Sequence, residues 1–318
     1  MTMRWSPRAL GATGLTTTPL MVGGAPLGSM PANFGYDVSA EDGVATAVAA
    51  LTGPIRGIDT SCAYSRGESE RRIGTAITQV GGLPDGYLLA TKITRDLDTG
   101  DFSGEQMRRA IAGSLRRLGV DSVPLLYLHD PENTTFAAAT APGGPVEVLR
   151  ELKDTGVAQA IGVAGGDTAT ISEYVETGHF DVLLTHNRWT LVNRTADRLI
   201  DSAVERGMGV VNAAVFGGGI LAAGTKASNR YGYREAPEEL LRAIRRVEAL
   251  CQDAGIPLSA AAVQFSTRDP RIASTVVGVS RPARIAESVA AVELDIPAGL
   301  FDAVDEIAAG LPAGLGPR

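Results

Sequence analysis

The stretch GIDTSCAYSRGESE, Gly57 to Glu70, decides how the chain is read. It opens on the end of an apolar run, IRGID, with the character of a buried strand, yet that run closes on an acid at Asp59 and reaches a tyrosine at Tyr64. A parallel strand covered on both faces does not accommodate a carboxylate in its middle, whereas its carboxyl end opens on a crevice where ligands bind. Asp59 and Tyr64 are therefore expected at a ligand-facing strand end, provided that other strands end in the same way.

Outward from this stretch, the apolar runs are PLMVGG, IRGID, GYLLATK, VPLLYLHD, VAQAIGVA, FDVLLTHN, GMGVVNAA and ASTVVGVS. Between them lie helix patterns such as DGVATAVAAL, SGEQMRRAIAGSLRRLG, GPVEVLRELKDTG, NRTADRLIDSAVERG and PEELLRAIRRVEALCQDAG, with apolar residues at three and four spacing. Gly119, Gly156, Gly207 and Gly255 are their stop signals. Eight strands joined mostly by helices predict right-handed crossovers and a closed (β/α)8 TIM barrel, an α/β fold. An open doubly wound sheet would carry G-x-G-x-x-G after an early strand. The nearest stretch, GVAGGD at Gly162, has Ala164 at the second glycine and follows the fifth strand, so it reads as a barrel turn.

Ahead of the first strand, ALGATGLTTTPL predicts a hairpin turning at Thr13 and Gly14 that plugs the barrel bottom. Three long connections, APLGSMPANFGYDVS, HDPENTTFAAATAPGGP and AAGTKASNRYGYREAP, follow strands and are expected over the C-terminal mouth as lids or binding loops. No internal repeat interrupts the pattern, and residues 1–318 read as one domain.

The ends of neighbouring barrel strands converge on one mouth. The second strand and its turn supply Asp59 and Tyr64, the third ends at Lys92 and the fourth at His129. Scarcity sharpens the choice: the lysines are Lys92, Lys153 and Lys226, and the histidines are His129, His179 and His186, in a chain whose basic residues are mostly arginine. An ammonium is a compact charge that can sit beside a phenol and tune it, which a guanidinium does poorly. Lys92 is expected to lower the Tyr64 pKa toward working range, Asp59 to hold Lys92, and His129 to orient a substrate oxygen. Taken singly, a strand-end Asp is commonly a cap, a Tyr packing and a His a core residue. The inference rests on four such groups at the same end of consecutive strands. With no nucleophile or metal cage among them, the natural chemistry is hydride exchange with an external cofactor.

Composition narrows the partners. A formal charge of −7 without a basic block gives no support to nucleic acid or an anionic membrane surface. No signal-peptide core and no apolar stretch of roughly 18 residues occurs, so a cytoplasmic protein with a small-molecule substrate is expected. Cys62 and Cys251 are too few for a disulfide framework, and Cys62 reads as packing in preference to a redox group. No apolar stripe is left over after the barrel, which makes a monomer the default.

Asp59, Tyr64, Lys92 and His129 match the tetrad of the aldo-keto reductases, which the chain resembles from LGATGL to VVGVSRPARIAES. GGAPLG, SLRRLGVD, LLYLHDP, VFGGGILA and VEALCQDAGIPLSAAAVQF resemble the branch of D-threo-aldose 1-dehydrogenase, L-fucose or L-galactose dehydrogenase and pyridoxal 4-dehydrogenase. The resemblance implies an NAD(P)-dependent oxidoreductase acting on an aldose or other aldehyde. It places the adenosine end of the cofactor on Gly278, Ser280, Arg281, Arg284, Glu287 and Ser288, with Ser280 and Arg284 at the 2′-phosphate, Arg281 as a second cation and Glu287 at the adenine. The two arginines favour NADP, with NAD possible. Phe216, Gly217 and Gly219 of VFGGGILA are implied at the pyrophosphate.

The chain also departs from the family. Ala164 and Gly165 stand where many relatives hold the nicotinamide carboxamide with a Ser-Asn pair, and Ala213 where many stack an aromatic ring. His186, Asn187 and Trp189 are the expected substitutes. Phe34, Tyr36, Trp189, Tyr231 and Tyr233 are expected to line the mouth. Two other readings stay open: a pyridoxal-like or small aromatic aldehyde as substrate, and a cofactor-binding regulatory subunit that senses redox state.

Overall fold

The computed structural model describes residues 5–232 and 234–312. Each of the eight apolar runs contains a strand: β1 (Leu20–Gly23), β2 (Gly57–Asp59), β3 (Leu88–Ile93), β4 (Val123–His129), β5 (Ala158–Gly165), β6 (Val182–His186), β7 (Gly209–Ala213) and β8 (Ser274–Gly278). All pair in parallel with their sequence neighbours, and β8 closes on β1 with Gly278 opposite Gly23, so the sheet is a complete barrel.

The helices are α1 (Ala40–Thr52), α2 (Glu68–Gln79), α3 (Gly104–Leu118), α4 (Pro145–Asp154), α5 (Thr168–Glu176), α6 (Asp197–Glu205), α7 (Glu238–Asp253), α8 (Leu258–Thr267), α9 (Ala283–Glu293) and α10 (Ala298–Ala309). Their ends follow local chemistry. Ser103 caps α3 by accepting from the Gln106 N–H, and Gly119 ends it in the left-handed conformation, which costs a glycine little. The other three stop glycines also have positive φ.

Strand periodicity sorts the residues into two cores. On β4, Leu125 and Tyr127 point into the barrel while Leu126 and Leu128 face the helices; on β3, Leu88 and Ala90 point in and Leu89 points out. Asp59 and Lys92 continue the inward series of Gly57 and of Leu88 and Ala90. Period two therefore delivers a carboxylate and an ammonium to the inside of the barrel. A third cluster, outside it, joins α7, α8 and α10 to Leu191, Ile220 and Tyr231.

The expected hairpin pairs Arg8–Ala9 with Thr16–Thr17. Leu10, directly after its first strand, is fully buried among Met21, Leu88, Leu125 and Val211, so it closes the barrel bottom. A side chain on Gly209 would lie 2.8 Å from Leu10 Cδ1, which explains the glycine on β7. The long connections lie at the opposite end, after β1, β4 and β7. Behind β3, Glu70 is buried and accepts from Thr91 (2.6 Å) and from Arg117 Nε (2.7 Å), tying α2, α3 and β3 together.

Leu10→Ala removes buried side-chain volume where the surroundings cannot collapse. It is expected to cost about 2–5 kcal/mol in urea unfolding. A loss under about 1 kcal/mol would show that the hairpin does not plug the barrel.

Candidate active site

Lys92 spends all three N–H donors within the protein: on Asp59 Oδ1, on the Thr60 carbonyl (2.9 Å) and on the Tyr64 hydroxyl (3.1 Å). It is 1% exposed and Asp59 3%, so the ion pair is shielded from water. The three bonds fix the ammonium against one face of Tyr64, 4.8 Å from the ring centroid. Asp59 Oδ2 is buried without a hydrogen-bond partner among the described residues.

Tyr64 sits on a tight turn, Tyr64–Gly67, in which Ser65, Arg66 and Gly67 all have positive φ. Non-glycine residues occupy that region at a cost of order 1–3 kcal/mol each. The turn is held by Ser65 Oγ donating to the Ser29 carbonyl and by the exposed Arg66–Asp98 pair. His129 meets Tyr64 edge to face, with ring centroids 5.9 Å apart. The tetrad predicted from the sequence is thus assembled in one place.

The protonation states differ from one expectation. Burial pushes the Tyr64 phenol up to about 12, outweighing the pull of the Lys92 ammonium in the other direction. The phenol is therefore protonated at neutral pH, a stored acid. Burial would lower the Lys92 pKa, but Asp59 and Tyr64 raise it above the ordinary lysine value. Burial also depresses His129 to about 4, against the Asp130 carboxylate, and leaves the imidazole neutral. Asp130 in turn is held below the usual carboxylate range, since His129, His186 and Lys92 outweigh its burial. Burial raises the Cys62 thiol to about 12, consistent with a packing role.

Two residues of this site were not singled out in the sequence. Ser61 is fully buried with its hydroxyl 3.1 Å from His129 Nδ1. Asp130 lies 3.6 Å from His129 Nε2 and 3.8 Å from His186 Nε2. A signal for Ser61 existed, because it stands two residues beyond Asp59 and so on the same side of the chain. Asp130 adjoins His129 in LLYLHDP and takes a left-handed conformation that turns it back toward the mouth.

The residues expected to hold the cofactor fall into three groups. His186 and Asn187 lie at the end of β6, where Asn187 is buried, has φ of 60° and keeps its Oδ1 without a partner among the described residues. Phe216, Gly217 and Gly219 follow β7; the missing side chain of Gly217 makes room for the Tyr231 ring, 2.4 Å from a Cβ built there, while Gly219 borders open space. Gly278 and Ser280 end β8. Arg281 and Arg284 both reach Glu287, at 3.7 and 2.7 Å, and Ser288 donates to the Arg284 carbonyl. This last group faces solvent with two guanidinium groups at the start of α9.

Trp189 and Tyr231 do not line the mouth as expected. Trp189 packs on Phe265, with Arg194 and Arg271 over its ring, and Tyr231 is buried with its hydroxyl 2.8 Å from Thr190 Oγ1. Phe34 and Tyr36 stack at 6.0 Å in the loop after β1, with Tyr36 exposed, and Tyr233 lies outside the described residues. The orphaned Asn187 oxygen at the end of β6, whose backbone N–H donates to the Ala213 carbonyl, and the paired arginines at α9 fit the two ends of a nicotinamide dinucleotide.

Comparison with known proteins agrees with this geometry. Residues 19–309 match the Aldo/keto reductase family, and the chain belongs to it. It is 32% identical to D-threo-aldose 1-dehydrogenase of a Pseudomonas species (92% of this chain, 94% of that one) and 30% identical to pyridoxal 4-dehydrogenase of Microbacterium luteolum (91% and 94%). It is 32% identical to L-galactose dehydrogenase of Arabidopsis thaliana over 90% of this chain and 87% of that one. An aldo-keto reductase from Bacillus halodurans in its holo form superposes with a TM-score of 0.77 at 22% identity, covering 95% and 96%. The protein is an oxidoreductase of a family that works with a nicotinamide cofactor. Among the described residues no group of three or more His, Cys, Asp and Glu could hold a metal, and no helix is long and apolar enough to cross a membrane.

The His129 depression has a thermodynamic consequence. Between about 4 and 6.5 an unfolded imidazole takes up a proton that the native one refuses, so stability falls as pH drops through that window, by up to about 1.4 kcal/mol per pH unit. Denaturation of the wild type and of His129→Gln across that range is expected to show a shallower slope in the variant. Equal slopes would mean that His129 is not a buried neutral group.

Proposed function

We propose that the chain is an NADP-preferring aldose dehydrogenase of the D-threo-aldose and L-fucose type, acting as a monomeric cytoplasmic enzyme with residues 1–318 as one catalytic domain. The observation that carries the reading is the Lys92 ammonium, bound at once to Asp59, to the Thr60 carbonyl and to Tyr64 within a buried pocket that also holds His129.

The nicotinamide cofactor supplies the hydride acceptor or donor when bound. Everything else falls to side chains. Tyr64 gives its proton to a carbonyl oxygen in reduction, or receives one from a hydroxyl in oxidation, and Lys92 stabilises the phenolate left when the proton moves. Asp59 keeps the ammonium charged and in place. Neutral His129 orients the reacting oxygen without adding a charge. His186 and Asn187 would hold the carboxamide, Phe216, Gly217 and Gly219 would lie toward the pyrophosphate, and Ser280, Arg281 and Arg284 would bind the 2′-phosphate, with Gly278, Glu287 and Ser288 toward the adenosine. Two arginines at that end favour NADP over NAD.

A polar sugar suits a mouth that presents the partly exposed Asp130 and His186. A pyridoxal-like aldehyde remains a second reading, favoured by the stacked Phe34 and Tyr36 and by the similarity to a pyridoxal dehydrogenase. No observation favours the regulatory-subunit reading, since the groups that move protons are all in place.

Purified protein is expected to reduce NADP⁺ with L-fucose, followed at 340 nm. Tyr64→Phe is expected to lower kcat by about 10²–10⁴ with the NADP⁺ Kd unchanged. Retained turnover in that variant would remove Tyr64 from the chemistry, and turnover with pyridoxal alone would select the second reading. Arg284→Ala is expected to weaken NADP⁺ binding about tenfold or more with little effect on NAD⁺. Equal losses for both cofactors would place the 2′-phosphate elsewhere.

A further inference from the structure

We propose that Ser61 and Asp130 act as a pair of positioning residues that lock the His129 imidazole in the tautomer carrying its proton on Nε2, so that it meets the substrate oxygen as a hydrogen-bond donor. The proposal rests on the reading of Tyr64 and His129 as the groups around that oxygen and gives Ser61 and Asp130 a positioning role beside it.

Ser61 favours one tautomer through the placement of its single proton. Ser61 Oγ already accepts the Ala63 N–H at 3.2 Å and has a single proton to give. It has two acceptors within reach. His129 Nδ1 is at 3.1 Å, while the Lys92 carbonyl is at 3.4 Å and already accepts the Cys62 N–H at 3.1 Å. Donation to Nδ1 uses the shorter contact and leaves every group satisfied. It also requires Nδ1 to be bare, which puts the proton on Nε2.

Asp130 selects the same tautomer from the other side of the ring. Its carboxylate oxygen is 3.6 Å from Nε2, too far for a good hydrogen bond but close for a charge; the Asp130 side chain is partly exposed, while the ring it faces is buried. A bare Nε2 lone pair would face that anion, whereas an N–H there is attracted to it. The other ionisable groups around His129 are Lys92 beneath it, Tyr64 at its edge and His186, whose Nε2 is 3.8 Å from the same Asp130 oxygen. None of them offers Nδ1 an alternative partner. Because the Asp130 bond is long, Nε2–H stays available to an incoming oxygen.

Ser61 is fully buried and its neighbours are backbone, so a substitution there alters the ring's partner without altering the surface of the mouth. With Ala at this position, Nδ1 loses the partner it has among the described residues and the two tautomers compete. With Asn at position 130, the anion is gone and an amide can donate to Nε2 directly.

The test is nitrogen NMR of histidine-labelled full-length protein, with kinetics alongside. The wild type is expected to show a bare Nδ1 and a protonated Nε2 for His129, assigned by loss of the signals in His129→Gln. Ser61→Ala and Asp130→Asn are each expected to move these signals toward averaged values, and kcat/KM for the sugar to fall about tenfold while the NADP⁺ Kd is unchanged. Ser61→Cys, which keeps a weak donor, is expected to fall between wild type and Ser61→Ala in both readouts. A protonated Nδ1 in the wild type would overturn the proposal, and so would His129 signals that stay fixed in both variants. Should Ser61→Ala fail to fold, Asp130→Asn reports on the same ring. The NMR result stands whether or not the protein turns over a sugar, so failure of the proposed activity is distinguishable from failure of the tautomer assignment.

Discussion

The buried pair of Asp59 and Lys92 is the constraint on which the rest of the site depends. Removing two charges from water is expensive, and a well-packed apolar pair of similar size is often no less stable. Stability alone therefore does not account for an ion pair inside the barrel. The pair makes sense as a platform: the ammonium has a fixed position only because Asp59 and the Thr60 carbonyl take two of its protons, leaving the third for Tyr64. Breaking one side would leave an uncompensated charge in the core, so the platform is also intolerant of partial change.

The platform reads from the sequence because it obeys the strand period. Asp59 and Lys92 fall on the inward parity of β2 and β3, and their opposition to apolar neighbours marks them as exceptions that a folded barrel must explain. The fold was legible for the same reason, since eight short apolar runs punctuated by glycine-stopped helices leave few alternatives to a closed parallel barrel. Helix ends at Gly119, Gly156, Gly207 and Gly255 were local events and were legible too.

What was not legible depends on balances between opposing terms or on loops. The Tyr64 phenol has an ammonium beside it, and from sequence that implies a lowered pKa, yet desolvation inside the mouth dominates and raises it. Enclosure is a property of the assembled mouth. Trp189 and Tyr231 were assigned to the mouth from their place after β6 and β7, but side chains in such segments can turn into the outer layer. There they found aromatic and arginine partners that no spacing announces. Asp130 illustrates the converse, a residue next to a predicted one that a single left-handed backbone step brings into the site.

The departure at the end of β5 is best understood as an exchange of space between elements. Ala164 and Gly165 look like gaps in sequence, but a side chain built on Gly165 would lie 2.7 Å from Glu132 Oε2 and 2.6 Å from Ile171 Cδ1. The loop after β4 occupies that room, with Glu132 accepting the Gly166 N–H at 3.0 Å. A polar side chain could not replace Gly165 without displacing Glu132 of this loop or Ile171, and Asp130 belongs to the same loop. On the proposed reading, the donors and acceptors for a carboxamide come from the next strand. Asn187, turned into the left-handed region at the end of β6 with its oxygen unpartnered, has the chemistry for that task. The glycine at the end of β5 and Glu132 of the loop after β4 are thus fitted to each other, and a side chain at Gly165 would have to displace Glu132 or Ile171 to enter.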